Sequence, residues 1–399
     1  MAFIATLSTL SIGLWDDLTA CYGCSATVLN KQLRMFSSSK MADSFSTFCK
    51  CCLFRPNCEA SPGFHGELPF KLETGYVSVG DSELFYYFIE SQGDPEKDPL
   101  FLWLTGGPGC SSFGGLIFEI GPLEFDVDNY KVGLPELKYC PYAWTKSASF
   151  IFLDAPVGSG FSYARTPEGW HISDSESAEQ SYQFLKKWFL EHPQYLLLQL
   201  YIGGDSYSGI PVPLITKKVI EGNEASVLPH LNLQGYLVGS PMTDLIIDRN
   251  SRIVFAHRLA LISDELYEKL RKSCNEMYVD VDPSNTECVS ALAYYEMNFV
   301  YEMAYLWAND PLVQDALHVR KGIVSEWVRC NRSLSYEKNV TSVVDVHRYL
   351  STKGLQLLVE TGDHDMSIPY VGTEKWIKSL NLTIADDWRP WYIDGQVAG

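Results

Sequence analysis

The stretch YIGGDSYSG, Tyr201 to Gly209, carries a serine whose surroundings suit nucleophilic chemistry. The apolar run Leu198 to Ile202 reads as a strand, Gly203 and Gly204 read as a sharp turn, and a helix is expected from Pro211 to Ile220 with Gly222 ending it. Ser206 would then project from a strained turn between strand and helix, the setting of a nucleophile elbow. A hydroxyl is a weak nucleophile by itself. Such a serine requires a histidine base within hydrogen-bond reach and a carboxylate to orient that base.

A second stretch, LWLTGGPGCSS from Leu102 to Ser112, ends a strand in Thr105-Gly106-Gly107-Pro108-Gly109. Backbone N–H groups there are unshielded by side chains, which is how an oxyanion site is built. Glycine turns are common and mean little alone; beside the elbow, the N–H groups of Gly107 and Tyr207 become the expected donors. The third stretch, ETGDHDMSIPY from Glu360 to Tyr370, offers Asp363 and Asp365 as orienting acids, although acidic turns after strands usually serve as caps or solvated loops. Serine before acid is the α/β-hydrolase order, with histidine last. None of His65, His171, His192, His230, His257, His318, His347 and His364 follows Asp365. His257 and His318 fall within helical patterns, His192 ends a helix and His364 shares the acid's own loop, so no base is evident.

The elements that must position these groups follow from periodicity. Tyr76 to Val79 and Glu83 to Ile89 read as a hairpin turning at Gly80 and Asp81. Leu100 to Leu104, Phe150 to Leu153, Leu198 to Ile202, Leu233 to Val238 and Leu355 to Glu360 read as buried strands. A helix is expected over Asp174 to His192, capped by Ser173 and stopped by Pro193, and another from Pro311 to His318. Strands alternating with helices imply an α/β protein with a mostly parallel sheet covered on both faces. The largely helical segment from about 263 to 319 reads as an insertion over the carboxyl ends of the strands, where sites collect.

The net charge of −18 argues against nucleic acid or an anionic membrane surface as a partner, since phosphate neutralisation needs clustered cations. No run approaches the length of a membrane span. The opening MAFIATLSTLSIGLW lacks a basic segment and meets Asp16 and Asp17, which makes a poor signal peptide, whereas the sequons at Asn331, Asn339 and Asn381 hint at a secretory route. Six cysteines, Cys21, Cys24, Cys49, Cys51, Cys52 and Cys58, lie in a Ser-rich leader over residues 1–62 that reads as poorly ordered, with no paired spacing for zinc. The body, 63–399, holds Cys110, Cys140, Cys274, Cys288 and Cys330, an odd set that leaves one outside any internal pairing.

With GGPGCSS, DAPVGSGFSYA, GGDSYSG and GDHDM in this order, the chain from Gly63 to Gly399 resembles the serine carboxypeptidase-like family, peptidase family S10, and its plant branch in particular. The resemblance implies an α/β-hydrolase fold with a helical insertion, Ser206 as nucleophile, Asp365 as the triad acid, Gly107 with Tyr207 as the oxyanion hole, and no cofactor. It implies bridges Cys110–Cys330 and Cys274–Cys288, with Cys140 left over, and a secreted or vacuolar location. Thr105, Gly106, Glu119 and Asp205 would meet the substrate, a small ester or a peptide. Carboxypeptidases of the family hold a free carboxylate with Asn at the position of Thr105 and Glu at those of Asp205 and Glu119. Only Glu119 is kept here, a pattern resembling the branch that moves acyl groups from glucose esters to alcohol acceptors. Carboxypeptidase action, or a family member without catalysis, is the alternative.

Three departures carry their own expectations. The family's histidine lies in a glycine-rich motif beyond a stretch like DDWRPWYIDGQVAG, within which this chain stops. The insertion is shortened between Glu296 and Trp307, and the leader has no family counterpart, with Met41 as an alternative start. A truncated or mis-spliced product of a family gene accounts for all three. It would lack the final strand and the base, leaving a sheet edge exposed and catalysis weak.

Overall fold

The computed structural model describes residues 2–5 and 63–397, apart from 128, 131–132, 293–304, 306, 324–325, 332, 387–388, 391 and 394. Alternation along the strands builds the core. In β4 (Leu100–Leu104), β5 (Ser149–Leu153), β6 (Leu200–Asp205) and β7 (Leu233–Gly239), successive side chains enter opposite layers. Leu100, Leu102, Ile151, Leu153, Leu200, Ile202 and Val238 fill an aliphatic layer. Phe101, Trp103, Phe150, Phe152 and Tyr201 face the other way and form an aromatic one. Its rings run across the strands, Tyr201 stacking on Phe101 at 5.1 Å and Phe101 on Phe150 at 5.0 Å. Burial on both faces is why these segments read as unbroken apolar runs.

These strands and β8 (Gln356–Glu360) pair in parallel within a nine-stranded sheet. The hairpin β2 (Leu72–Val79) and β3 (Ser82–Ile89) adds one edge antiparallel to β5, with Tyr163–Ala164 pairing beside it. At the other edge β1 (Ala2–Ala5) runs antiparallel to β8. The backbone of these four residues meets the ladder groups β8 offers; the remaining leader and its cysteines lie outside the described residues.

Two glycine readings are corrected. Gly203 and Gly204 do not turn the chain but continue β6, paired with Trp103 and Leu104 on one side and with Leu237 and Val238 on the other. Gly203 is needed there because a Cβ would lie 2.9 Å from the Trp103 ring. Gly222 does not end its helix. It lies within α2 (Pro211–Glu224), where a Cβ would fall 1.9 Å from the Tyr182 hydroxyl, so the glycine lets α1 (Asp174–Glu191) approach.

Helix α1 starts as expected with a capping box, Ser173 and Glu176 exchanging side-chain and backbone bonds. Its Trp188 is fully buried and packs on Phe88, His192 and Tyr195. After β7 come α3 (Leu245–Arg258), α4 (Asp264–Ser273), α5 (Thr286–Leu292) and α6 (Pro311–Ala316), then α7 (Val344–Leu350) before β8 and α8 (Tyr370–Ser379) after it. The expected insertion thus holds α4 to α6, with α4 and α5 tied by Cys274–Cys288 around a small apolar core. Residues 293–304, where the sequence reads as shortened, lie outside the described set. The second bridge joins Cys110 to Cys330, and Cys140 stands outside both.

Trp188→Ala should lower the unfolding free energy by about 3–5 kcal/mol in a urea titration, the cost of an aromatic-sized cavity. Leu197→Ala, at a side chain 87% exposed, should move it by less than about 0.5 kcal/mol.

Candidate active site

Strand register sets the geometry of the site. Asp205 pairs with Gly239 and Gly239 with Glu360, so β6, β7 and β8 finish level. With neighbouring strands about 4.8 Å apart, the turns after β6 and β8 open at the same sheet end roughly 10 Å from each other. One carries Ser206, the other Asp365.

Ser206 takes φ +56°, a left-handed conformation that costs a non-glycine residue on the order of 1–3 kcal/mol. The surroundings hold it there. Met242 N–H donates to the Ser206 carbonyl at 2.8 Å, and Gly209 admits that contact, since a Cβ on it would lie 2.4 Å from the Met242 carbonyl oxygen. The supporting loop is fixed in turn by Asp248, whose Oδ2 accepts from the N–H of Thr243 at 2.6 Å and of Asp244 at 2.9 Å. Burial, with a smaller push from the Asp244 carboxylate, drives Asp248 up to about 7 against the pull of these bonds and Arg252.

The loop after β4 presses on the serine from the other side. A Cβ on Gly106 would lie 2.6 Å from the Tyr207 nitrogen and 2.7 Å from Ser206 Cβ, so only glycine permits this approach. Gly106 N–H donates to Asp205 Oδ1 at 3.2 Å, and the Gly107 N–H, at φ +115°, has no acceptor among the described residues. Buried Asp154 anchors the loop by accepting from Ser111 Oγ at 2.7 Å, Ser112 N–H at 2.8 Å and Phe161 N–H at 2.9 Å. Burial holds that carboxyl up at about 6.

Behind the serine, two half-buried carboxyls share a site. Glu119 is pushed well above the usual carboxylate range, first by burial and then by Asp205, while Trp103 Nε1–H donates to its Oε2 at 2.8 Å and Thr105 borders it. Burial also raises Asp205 to about 6. Arg329 acts on both and favours their charged forms. It is delivered there by its neighbour Cys330: beside the bridge, Ser111 N–H donates to the Arg329 carbonyl at 2.8 Å and Asn331 N–H to that of Gly109 at 2.9 Å.

Asp365 Oδ1 accepts from the N–H of Ser367 at 2.7 Å and of Ile368 at 3.0 Å, and its charge reaches Asp205. Asp363 instead lies exposed against its neighbour His364 at 2.9 Å, whose hydrogen bond holds it below its ordinary range. No histidine is hydrogen-bonded to Ser206 or Asp365 among the described residues. His192 engages Glu73, His257 engages Asp264, and His347, forced down to about 3 by burial, meets the Tyr236 hydroxyl at 2.8 Å.

Sequence reasoning missed several members of the site. Asp174 accepts from the hydroxyls of Tyr207 at 2.9 Å and Tyr336 at 2.8 Å and from Val340 N–H at 3.0 Å, fixing the residue after the nucleophile. Asp248 and Arg329 were equally unmarked, because no spacing in the chain announces them. Among the described residues no cluster of His, Cys, Asp or Glu is placed to hold a metal.

A parallel sheet with a strained serine at a strand-to-helix turn and an acid after the last parallel strand defines an α/β hydrolase. A prohormone-processing carboxypeptidase from Saccharomyces cerevisiae shares this fold, with a TM-score of 0.66 at 19% identity over 78% of this chain and 77% of that one. The serine carboxypeptidase family model matches residues 62–305 and 296–399. Serine carboxypeptidase-like 17 of Arabidopsis thaliana is 47% identical over 363 residues, covering 85% of this chain and 83% of that protein. Serine carboxypeptidase-like 2 of the same plant is 47% identical over 364 residues, covering 85% and 82%. The chain belongs to the serine carboxypeptidase family.

Asp248 gives a test of how the elbow is held. The folded chain keeps its proton up to about pH 7, whereas an unfolded aspartate releases it near pH 4. Folding therefore binds a proton in between, and stability from this group falls as pH rises from about 4 to 7. Asp248→Asn should flatten that decline in Tm, measured across pH 4–8.

Proposed function

We propose that the protein acts through a serine acyl-enzyme and transfers an acyl group from a glucose ester to an alcohol acceptor. Ser206 Oγ attacks the ester carbonyl, the bond to the sugar oxygen breaks, and the sugar leaves with a proton. The acceptor oxygen then attacks the acyl-enzyme, loses its proton and frees Ser206. Gly107 and Tyr207 N–H groups hold the oxyanion, and Asp365 is the acid that orients a base. Thr105, Gly106, Glu119 and Asp205 line the substrate side.

The observation that carries the acyl-enzyme is the pressing of Gly106 onto a Ser206 held at φ +56°. It places a turn of open N–H groups beside a hydroxyl, the arrangement acyl transfer needs. Thr105 at the end of β4 favours the transferase over the carboxypeptidase. It offers no amide to a substrate carboxylate, and Asp205 is a methylene shorter than the glutamate that carboxypeptidases of the family carry there, so a network for a free carboxylate is incomplete.

With no imidazole bonded to Ser206 among the described residues, this chain should turn over slowly, on the order of 10⁶-fold below a complete triad. A fluorophosphonate probe should label Ser206 slowly and faster with added imidazole, and Ser206→Ala should abolish labelling. A glucose ester with an alcohol acceptor should then yield the transferred ester. Release of C-terminal residues from peptides instead would establish the carboxypeptidase, and no Ser206 adduct even with imidazole would favour a non-catalytic role.

The two disulfides fit an oxidising compartment, and we place the protein on the secretory route, secreted or vacuolar. No helix among the described residues is long and apolar enough to cross a membrane. The three sequons are not equivalent. Asn331 is half-buried, its Nδ2 donating to the Gly158 carbonyl at 3.1 Å, whereas Asn381 is exposed at φ +54°. Secreted material should lose glycan mass on Asn381→Gln, and Asn331→Gln should leave the mass of the glycans unchanged.

A further inference from the structure

Beside the nucleophile lies a hollow lined by Tyr207, Ile210, Met242, Leu245, Val340 and the aliphatic stem of Lys338. It begins within one residue of Ser206, because Tyr207 follows the serine and Met242 bonds its carbonyl. Its space is about 10 Å³, roughly that of one water. A ligand here lies across the mouth.

One cation lines the hollow and the charge of a second acts on it. Lys338 Nζ sits 5.2 Å from the Tyr207 ring centre. Arg249 follows Leu245 by four residues on α3, so it shares the helix face that lines the hollow, and its charge acts on both Lys338 and Tyr207. Burial, and next the Arg249 charge, hold Lys338 below its ordinary range. Among the described residues neither side chain has a hydrogen bond or a carboxylate within ion-pair distance. The carboxylate whose charge acts on Lys338 is Asp174, which already accepts from three donors. In a chain with 49 acids against 31 Lys and Arg, two cations with no carboxylate at ion-pair distance among the described residues are poised for an outside anion.

We propose that Lys338 and Arg249 form an anion subsite on the Tyr207 side of the Ser206 cleft, taking a carboxylate carried by the substrate, such as that of a dicarboxylic half-ester. This rests on the reading of Ser206 as the reacting group. The two cations clamp the carboxylate while the ester end reaches the serine.

The test is calorimetric binding to the full chain and to its Ser206→Ala variant, which prevents turnover. The probes are benzyl hydrogen succinate, its neutral methyl ester, free succinate and inorganic phosphate. The half-ester should bind at least about tenfold more tightly than the neutral diester. That preference should vanish in K338Q/R249Q and survive in the charge-conserving K338R/R249K, with circular dichroism confirming that each variant folds. Equal binding of the two esters, or a preference that outlasts K338Q/R249Q, overturns the subsite. Phosphate or succinate binding as tightly as the half-ester overturns its assignment to substrate. Binding that is intact in Ser206→Ala while fluorophosphonate leaves Ser206 unlabelled would retain the anion subsite and reject the catalytic reading instead.

Discussion

The close approach of the Gly106 backbone to Ser206 and Tyr207 is the constraint on which the site depends. A methyl group in that gap would push apart the two turns that must converge on a reacting carbonyl. Everything nearby serves to hold the gap. Asp154 ties down the far end of the Gly106 loop, the Cys110–Cys330 bridge pins its middle, and the Met242 contact braces the serine from beneath. A left-handed serine persists only where its surroundings leave no cheaper conformation.

Buried carboxyls do much of this holding. Asp154, Asp174 and Asp248 each gather backbone N–H or hydroxyl donors from separate segments, so one side chain fixes two or three loops at once. At Asp154 and Asp248 desolvation outweighs the bonds they accept, and both carboxyls sit above their ordinary range. Glu119 and Asp205 differ: they stand against each other behind the serine, with Arg329 the cation acting on both. The centre is thus acidic toward β4 and cationic toward α3.

Much of the fold was legible because strands buried on both faces are apolar throughout. β4 was read to the residue and α1 nearly so, while the hairpin's first arm was read at half its length. Glycine misled the reading twice, since its signature is the same whether it frees the backbone to turn or makes room for a neighbour. At Gly203 and Gly222 the neighbours are Trp103 and Tyr182, each distant in sequence, and only the closed structure shows them. The same holds for the site. The elbow, the glycine turn and the late acid are local patterns and could be read directly. Asp205 and Glu119 gained meaning from resemblance, while Asp174, Asp248 and Arg329 act across tertiary contacts that no local spacing encodes.

The Cys110–Cys330 bridge closes a loop of 220 residues that contains the serine elbow and the helical insertion. Its ends sit at the glycine turn and the Arg329 segment, so the crosslink encircles the site rather than merely adjoining it. A protease cutting the insertion would therefore release nothing. The two fragments would stay joined beside the nucleophile, migrating as one species until a reductant separated them into a two-chain form.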